Sequence, residues 1–422
     1  MSERQVPKGY KQTEVGVIPE DWECNPLVGK ILISHGYGFK SQYFCSYGKY
    51  QLTTPGNFYE EGGFRDLGER QKYYEGAVPS GYVLKQGDLI VAMTEQADGL
   101  LGSAAIIPES DSYLHNQRLG KINLISSDTD IDFLYYIFNS SAFRSKVQET
   151  AAGTKVKHTS PDKLLEIAVP QPPKEEQRAI AQTLSDVDAL IAALDQLIAK
   201  QRHLKTATMQ QLLTGKKRLP GFGGEWKEKQ IGSEIDLLTG FPFPSAQYFD
   251  SGIKLLRGSN IKRGVTDWSD DLVQYWPEVT SDISQYVLNE GDIVIAMDGS
   301  LVGRSFARLS KDDLPALLLQ RVARIRSDKI DMGYLKEWIC SKFFTEHCDA
   351  VKTVTAIPHI SPGDIRSFVI QVPPTQEEQR EIATVLSDMD GAISALQARR
   401  AKTQAIKQGM MQELLTGRTR LV

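Results

Sequence analysis

A segment of 45 residues is written twice in this chain, and the repetition limits what the whole can become. Residues 175–219 read EEQRAIAQTLSDVDALIAALDQLIAKQRHLKTATMQQLLTGKKRL, and residues 377–421 read EEQREIATVLSDMDGAISALQARRAKTQAIKQGMMQELLTGRTRL. The offset stays at 202 residues without a gap, and about half of the positions are identical. A period of that length is not a solenoid unit of roughly 20–50 residues. It marks a duplicated half-molecule, able to fold as a pseudo-dimer with approximate two-fold symmetry.

Each copy has the signs of a long helix. Pro172-Pro173 and Pro373-Pro374 end an extended approach, and Glu175-Glu176 and Glu377-Glu378 follow where a helix N-terminus favours negative charge. Apolar residues then recur at Ile180, Leu184, Val187, Ile191, Leu194 and Ile198, and again at Ile382, Leu386, Met389, Ile393 and Leu396. That alternating four-and-three spacing is the seam of a coiled coil. Gly215 and Gly417 close the segments, with Lys216-Lys217-Arg218 and Arg418 just beyond. Some 40 residues of helix make a rod of roughly 60 Å. Two helices with matching seams most simply bury them against each other; the alternative is that each packs on its own globular half.

At 422 residues the chain exceeds one core and suits two domains with connectors. No apolar run reaches membrane-spanning length and the N-terminus lacks the apolar stretch of a signal peptide, so no membrane association and a cytoplasmic location are expected. Cys24, Cys45, Cys340 and Cys348 form no CxxC pair and have no metal-site spacing. The net charge of −4 hides a division: the acidic excess lies in the globular stretches, while the two helical segments are slightly basic. Any electrostatic footprint for nucleic acid must therefore be a local patch.

The duplication continues, more faintly, through the globular stretches. Trp22 and Trp226 open them, each a candidate anchor for a domain core. His35-Gly36-Tyr37-Gly38-Phe39-Lys40-Ser41 answers Gly240-Phe241-Pro242-Phe243-Pro244-Ser245. Asn57 and Asn260 each follow a short strand-like run. Gly87-Asp88 and Gly291-Asp292 turn the chain into the near-identical strands Leu-Ile-Val-Ala-Met and Ile-Val-Ile-Ala-Met. Asn116-Gln117-Arg118 and Leu319-Gln320-Arg321 precede further strands, amphipathic helices are expected at about 131–149 and 331–350, and a His-x-Ser element leads from each helix to the proline pair.

Catalytic signatures are missing: the sequence has no GxxxxGK[ST] loop, strand-to-helix GxGxxG, GxSxG elbow or HExxH. Asp88 and Asp292 are better explained as turn residues than as an acid–base pair. The chain reads as a recogniser of DNA: Gln and Asn can pair with adenine edges, Arg and Lys with guanine or phosphate. Candidate contacts are Tyr37, Lys40 and Ser41; Gln117 and Arg118; Lys155, Lys157 and His158; Arg257, Asn260, Lys262 and Arg263; Gln320 and Arg321; and His359. Two such domains spaced by a rod would read two short motifs split by an unread gap, as dimer geometry fixes half-site spacing.

The twice-written pattern PP-x-x-EQR…LSD-x-D…LLTG-x-x-RL resembles the specificity subunit of type I restriction–modification enzymes. The tryptophan-initiated domain starts, the Gly-Asp strand and the His-x-Ser element carry the resemblance over essentially the whole chain. It implies a mixed α/β protein with two globular target-recognition domains, at 1–171 and 216–372. Two long antiparallel coiled-coil helices, at 172–215 and 373–422, join them. It further implies double-stranded DNA as ligand, two modification (methyltransferase) subunits and restriction subunits as partners, and no catalysis or cofactor in this chain. S-adenosylmethionine, ATP and Mg²⁺ belong to those partners. On that likeness Gln117, Lys155, Lys157 and His158 face the first half of the target, and Arg257, Asn260, Gln320, Arg321 and His359 the second. One departure stands out: Ala356-Ile357-Pro358 replaces Lys155-Val156-Lys157, so phosphate contact through this loop is expected on one side only. A stand-alone methylation or related defence system, and a scaffold that never touches DNA, stay open as other roles.

Overall fold

The computed structural model describes residues 6–153, 156–354 and 356–421; the candidate Lys155 lies outside them. The chain divides into two compact units, Met1–Asp195 with Arg399–Val422, and Gln196–Ala398. These differ from the four consecutive segments expected from sequence. Each long helix is shared out near its middle, because its first turns belong to the core behind it and its last turns to the other unit's core.

The first unit is built on four antiparallel strands: β1 (Ile31–His35), β2 (Leu89–Ala92), β3 (Ala104–Ile106) and β4 (Leu119–Leu124), side by side in the order β1-β4-β2-β3. Every residue of β2 is buried, as its unbroken aliphatic run requires. Gly87 turns into it with φ +85°, and Asp88 holds that turn by accepting from the Lys85 amide at 2.8 Å and pairing with Lys121 at 2.7 Å. Phe133, Leu134, Ile137 and Phe138 of the helix Ile131–Phe138 join Trp22, Ile33 and Val91 in one core. A smaller mixed sheet contains Tyr50–Leu52 and Tyr113–Leu114.

The second unit repeats this design with β5 (Asp236–Thr239), β6 (Ile293–Ala296), β7 (Phe306–Arg308) and β8 (Val322–Arg326), ordered β5-β8-β6-β7. Arg263–Gly264 extends the β7 edge by a short parallel pairing. Asp292 repeats the work of Asp88, accepting from the Asn289 amide at 2.8 Å and from the Arg326 guanidinium. The structural reading of both aspartates holds.

Where one amphipathic helix was expected in each unit, there are two. Ile131–Phe138 gives way to Ser141–Thr150, and Met332–Cys340 to Lys342–Val351. Ser140 and Ser341 make the break: each side chain caps the second helix by accepting from the amide of Phe143 or Phe344. Periodicity survives such a break, and the cap residue was the overlooked signal.

The long helices run over Lys174–Leu213 and Gln376–Leu414. Their seam is buried or half-buried at all eleven expected positions, but it has two jobs. Ile180 and Leu184 enter the first unit's core and Ile382 and Leu386 the second's. Further along, Ile191, Leu194, Ile198 and Ile393 are buried where the helices lie together. In the first unit Asp188 pairs with Lys407 at 2.6 Å and Asp195 with Arg400 at 3.1 Å. A seven-residue step up one helix is a seven-residue step down the other, so they are antiparallel. In the second unit Lys205 pairs with Asp390 at 2.6 Å, the repeat-related counterpart of Lys407 with Asp188.

The helix signature has a physical explanation. Gln177 is buried, accepts from the Asp130 amide at 2.9 Å and donates to the carbonyls of Asp128 and Pro172. Gln379 likewise accepts from the Asp331 amide at 2.9 Å. The preceding glutamates are wholly buried: Glu176 accepts from Trp22 Nε1 at 2.9 Å and pairs with Arg420, whose guanidinium also holds Asp21. Glu378 pairs with Arg218 at 2.6 Å. Arg218, just beyond the first helix, thus ties its end to the start of the second. Gly417, at φ +67°, is obligatory here, since a Cβ would lie 2.5 Å from Pro19.

Candidate nucleic-acid interface

In both units the same loops gather at one end of the main sheet. The turn after β1 meets the residues before β4: the Tyr37 amide donates to the His115 carbonyl at 2.8 Å, and the Gln117 amide returns a bond to the Tyr37 carbonyl at 3.0 Å. In the second unit the Gln320 amide donates to the Phe241 carbonyl at 2.9 Å. Glycine is required at the contact, because a Cβ at Gly36 or Gly240 would lie 2.1 Å from the carbonyl oxygen of Asn116 or Leu319.

The segment after the central strand closes the cluster. The Met93 amide donates to the Arg118 carbonyl, and the Met297 amide to the Arg321 carbonyl, both at 2.9 Å. Thr94 bridges His158, and Asp298 bridges His359. Next to each histidine, the amide of Thr159 or Ile360 bonds back to the carbonyl of Met93 or Met297. Gln117, Arg118, Lys157 and His158 thus share one exposed surface, and Gln320, Arg321 and His359 share its counterpart. Tyr37 borders the first, its ring packed edge-on against Phe39 at 5.1 Å. Lys40 and Ser41 are exposed at the entry to the turn Ser41–Tyr43.

Arg321 has a left-handed backbone, φ +65°, unusual for a residue with a side chain, and its guanidinium reaches Asp298 at 3.0 Å. Sequence reasoning passed over Asp298, whose position just after the repeated Ala-Met strand was the available signal. Below the first surface, His115 is buried with Nε2 at 3.0 Å from the Leu119 carbonyl oxygen. Burial pushes its imidazole down to about 4, so it is neutral at neutral pH and acts as framework for Tyr37.

The cluster around 257–263 behaves differently. Asn260 is 0% exposed and cannot touch a duplex. Its amide accepts from the Arg257 backbone at 3.1 Å and donates to the Asp267 carbonyl at 2.9 Å. Asn57 does the same in the first unit, accepting from the Thr54 amide and donating to Gln71. The recurrence of these asparagines is structural: each stitches a turn. Arg257 is half-buried, its guanidinium donating to the Leu272 carbonyl. Lys262 donates to the Ser259 carbonyl at 2.9 Å, and Arg263 is exposed on the outermost strand. Gly258 lies beside Asp298, so this turn adjoins the second surface through its backbone.

Comparison with known proteins agrees with this geometry. The family described as type I restriction modification DNA specificity domain matches twice, at residues 19–200 and 224–407. The type I restriction enzyme MjaVIII specificity subunit of Methanocaldococcus jannaschii is 28% identical over 325 residues, covering 72% of this chain and 76% of that protein. The EcoAI specificity subunit of Escherichia coli is 35% identical over 172 residues, 40% of this chain and 28% of its own length. A crystal structure of the type I restriction-modification S subunit from M. genitalium shares the fold, with a TM-score of 0.57 at 14% identity over 93% of this chain and 96% of that one. With two family matches spanning most of its length, the chain belongs to the type I restriction modification DNA specificity family.

Proposed function

We propose that this chain is the DNA sequence-recognition subunit of a type I restriction–modification complex. Each unit reads one half of a bipartite target, with an unread gap of fixed length between the halves. One observation carries the reading: two diverged sequences rebuild the same loop cluster, and each time it exposes glutamine, arginine and histidine at the end of a rigid sheet. Those side chains can bond base edges or phosphates while the sheet holds their spacing.

In this reading two modification subunits methylate the target with S-adenosylmethionine, and restriction subunits supply ATP- and Mg²⁺-dependent cleavage. This chain contributes recognition and docking and no reacting group. The test is co-expression with the partner methyltransferase, followed by genome-wide mapping of modified bases. Methylation confined to one bipartite motif with a constant gap, and lost without this chain, is the expected result. An active methyltransferase giving the same pattern with and without the chain would sink the proposal.

A further inference from the structure

The loop carrying the repeated histidine keeps its backbone pairing and changes its chemistry. Residues 153–157 read Gly-Thr-Lys-Val-Lys, while 354–358 read Val-Thr-Ala-Ile-Pro. The Ala152 amide donates to the His158 carbonyl at 2.9 Å, and the Thr353 amide to the His359 carbonyl at 3.0 Å, so the positions correspond. Two lysines have become alanine and proline, and a glycine has become valine. Val354 is 103% exposed relative to an extended chain and Ile357 is 62% exposed.

A second loop adds to them. The Gly299 amide donates to the Pro358 carbonyl at 3.0 Å, which ties residues 298–303 to the histidine loop. That loop presents Leu301 at 57% exposure, where the leucine in the matching place of the first unit, Leu100, is buried. Single exposed aliphatic residues are ordinary, but these three stand on two loops joined by a backbone hydrogen bond. Beside them stand His359, bridged to Asp298, and Arg321, paired with Asp298.

We infer that Leu301, Val354 and Ile357 form an apolar contact surface for thymine C5-methyl groups in the major groove of the second unit's half-site. The inference rests on the DNA-recognition reading above. The occupant follows from the matched loop, whose Lys157 is exposed beside His158 and suits a polyanion. A loop in the corresponding place meets the same duplex. The thymine methyl is the one apolar group that major-groove base edges display. The second unit's loops thus present Leu301 and Val354 where the first buries Leu100 and has Gly153; the first keeps Lys157, beside an exposed Val156 in the place of Ile357.

The test uses the methyltransferase complex assembled with this chain and its mapped target. Duplexes carry deoxyuridine in place of thymine in one half-site or the other, which removes only the methyl groups. We expect one half-site to be sensitive, with methylation slowed roughly fourfold per lost methyl contact. The Leu301→Ser/Val354→Ser/Ile357→Ser chain should be slow on both duplexes and indifferent to the replacement. Equal rates on thymine and deoxyuridine duplexes with the unaltered chain overturn the inference, as does a triple variant that keeps the sensitivity. A variant that loses activity while neither half-site senses the methyl points to a wedge between base steps instead, and overturns it too. Methylation that ignores the chain altogether brings down the recognition reading itself, a result distinguishable from equal rates on a defined target.

Discussion

Arg420→Ala would leave the Glu176 carboxylate, now fully buried, with Trp22 Nε1 as its one remaining partner among the described residues. Stranding a buried charge costs about 3 kcal/mol, toward the low end of the usual range because Arg420 is itself partly exposed. The urea midpoint should fall accordingly, and Glu176→Gln added to Arg420→Ala should recover part of the loss by removing the charge. His115 carries a separate signature. Its folded value of about 4 lies below the ordinary histidine value of 6.5, so the unfolded chain takes up the proton first. Its contribution is intact above pH 6.5 and drains away as pH falls toward 4, on the order of 3 kcal/mol in total. Urea titrations from pH 7 to 4 should show a shallower decline for His115→Gln than for the unaltered chain. At the interface, Gln320→Ala should relax discrimination at one half-site and leave the other intact, as read by methylation mapping. Both Gln320 and Asn260 recur in the sequence, as Gln117 and Asn57. Recurrence could not separate them, because a side chain repeated for stitching a turn and one repeated for facing DNA leave the same trace.

The helix-to-domain contact shows how two elements can be locked by different chemistry in matching places. In the first unit Tyr136 donates to Asp188 at 2.9 Å and its ring lies 5.6 Å from the Lys407 ammonium. In the second, Glu337 takes the corresponding place, fully buried, with Lys336 at 2.7 Å and Lys205 at 3.7 Å. Tyr136→Phe forfeits one hydrogen bond to a charged acceptor, about 1–2 kcal/mol. Glu337→Ala leaves two ammonium groups against one aspartate and should cost more; paired thermal or urea unfolding of the two variants gives the order. The seam of these helices was plain in the sequence because a heptad pattern survives whatever it packs against. That its first turns enter a globular core was not, since apolar spacing says which face is buried and not what buries it.

As a whole, the molecule has an acidic balance, and DNA binding by the assembled complex should still weaken steeply with salt. A local grip of a few phosphates gives a log–log slope of about −0.9 per phosphate neutralised. Lys157→Gln should make that slope shallower by about one unit in a fluorescence titration, without changing the motif. The unit division bears on a different matter, the order in which the chain comes into being. Residues Gln196–Ala398 are contiguous and can fold as soon as they have been synthesised, whereas the unit at the N-terminus waits for Arg399–Val422. Leu414 and Leu415 fill its core, Gly417 accepts from Tyr10, and Arg420 neutralises Glu176. Until those residues leave the ribosome, Ile180 and Leu184 stand without their full surroundings. The part made first is finished last. Loss of Arg399–Val422 therefore damages the unit built mainly from Met1–Asp195, far away along the sequence.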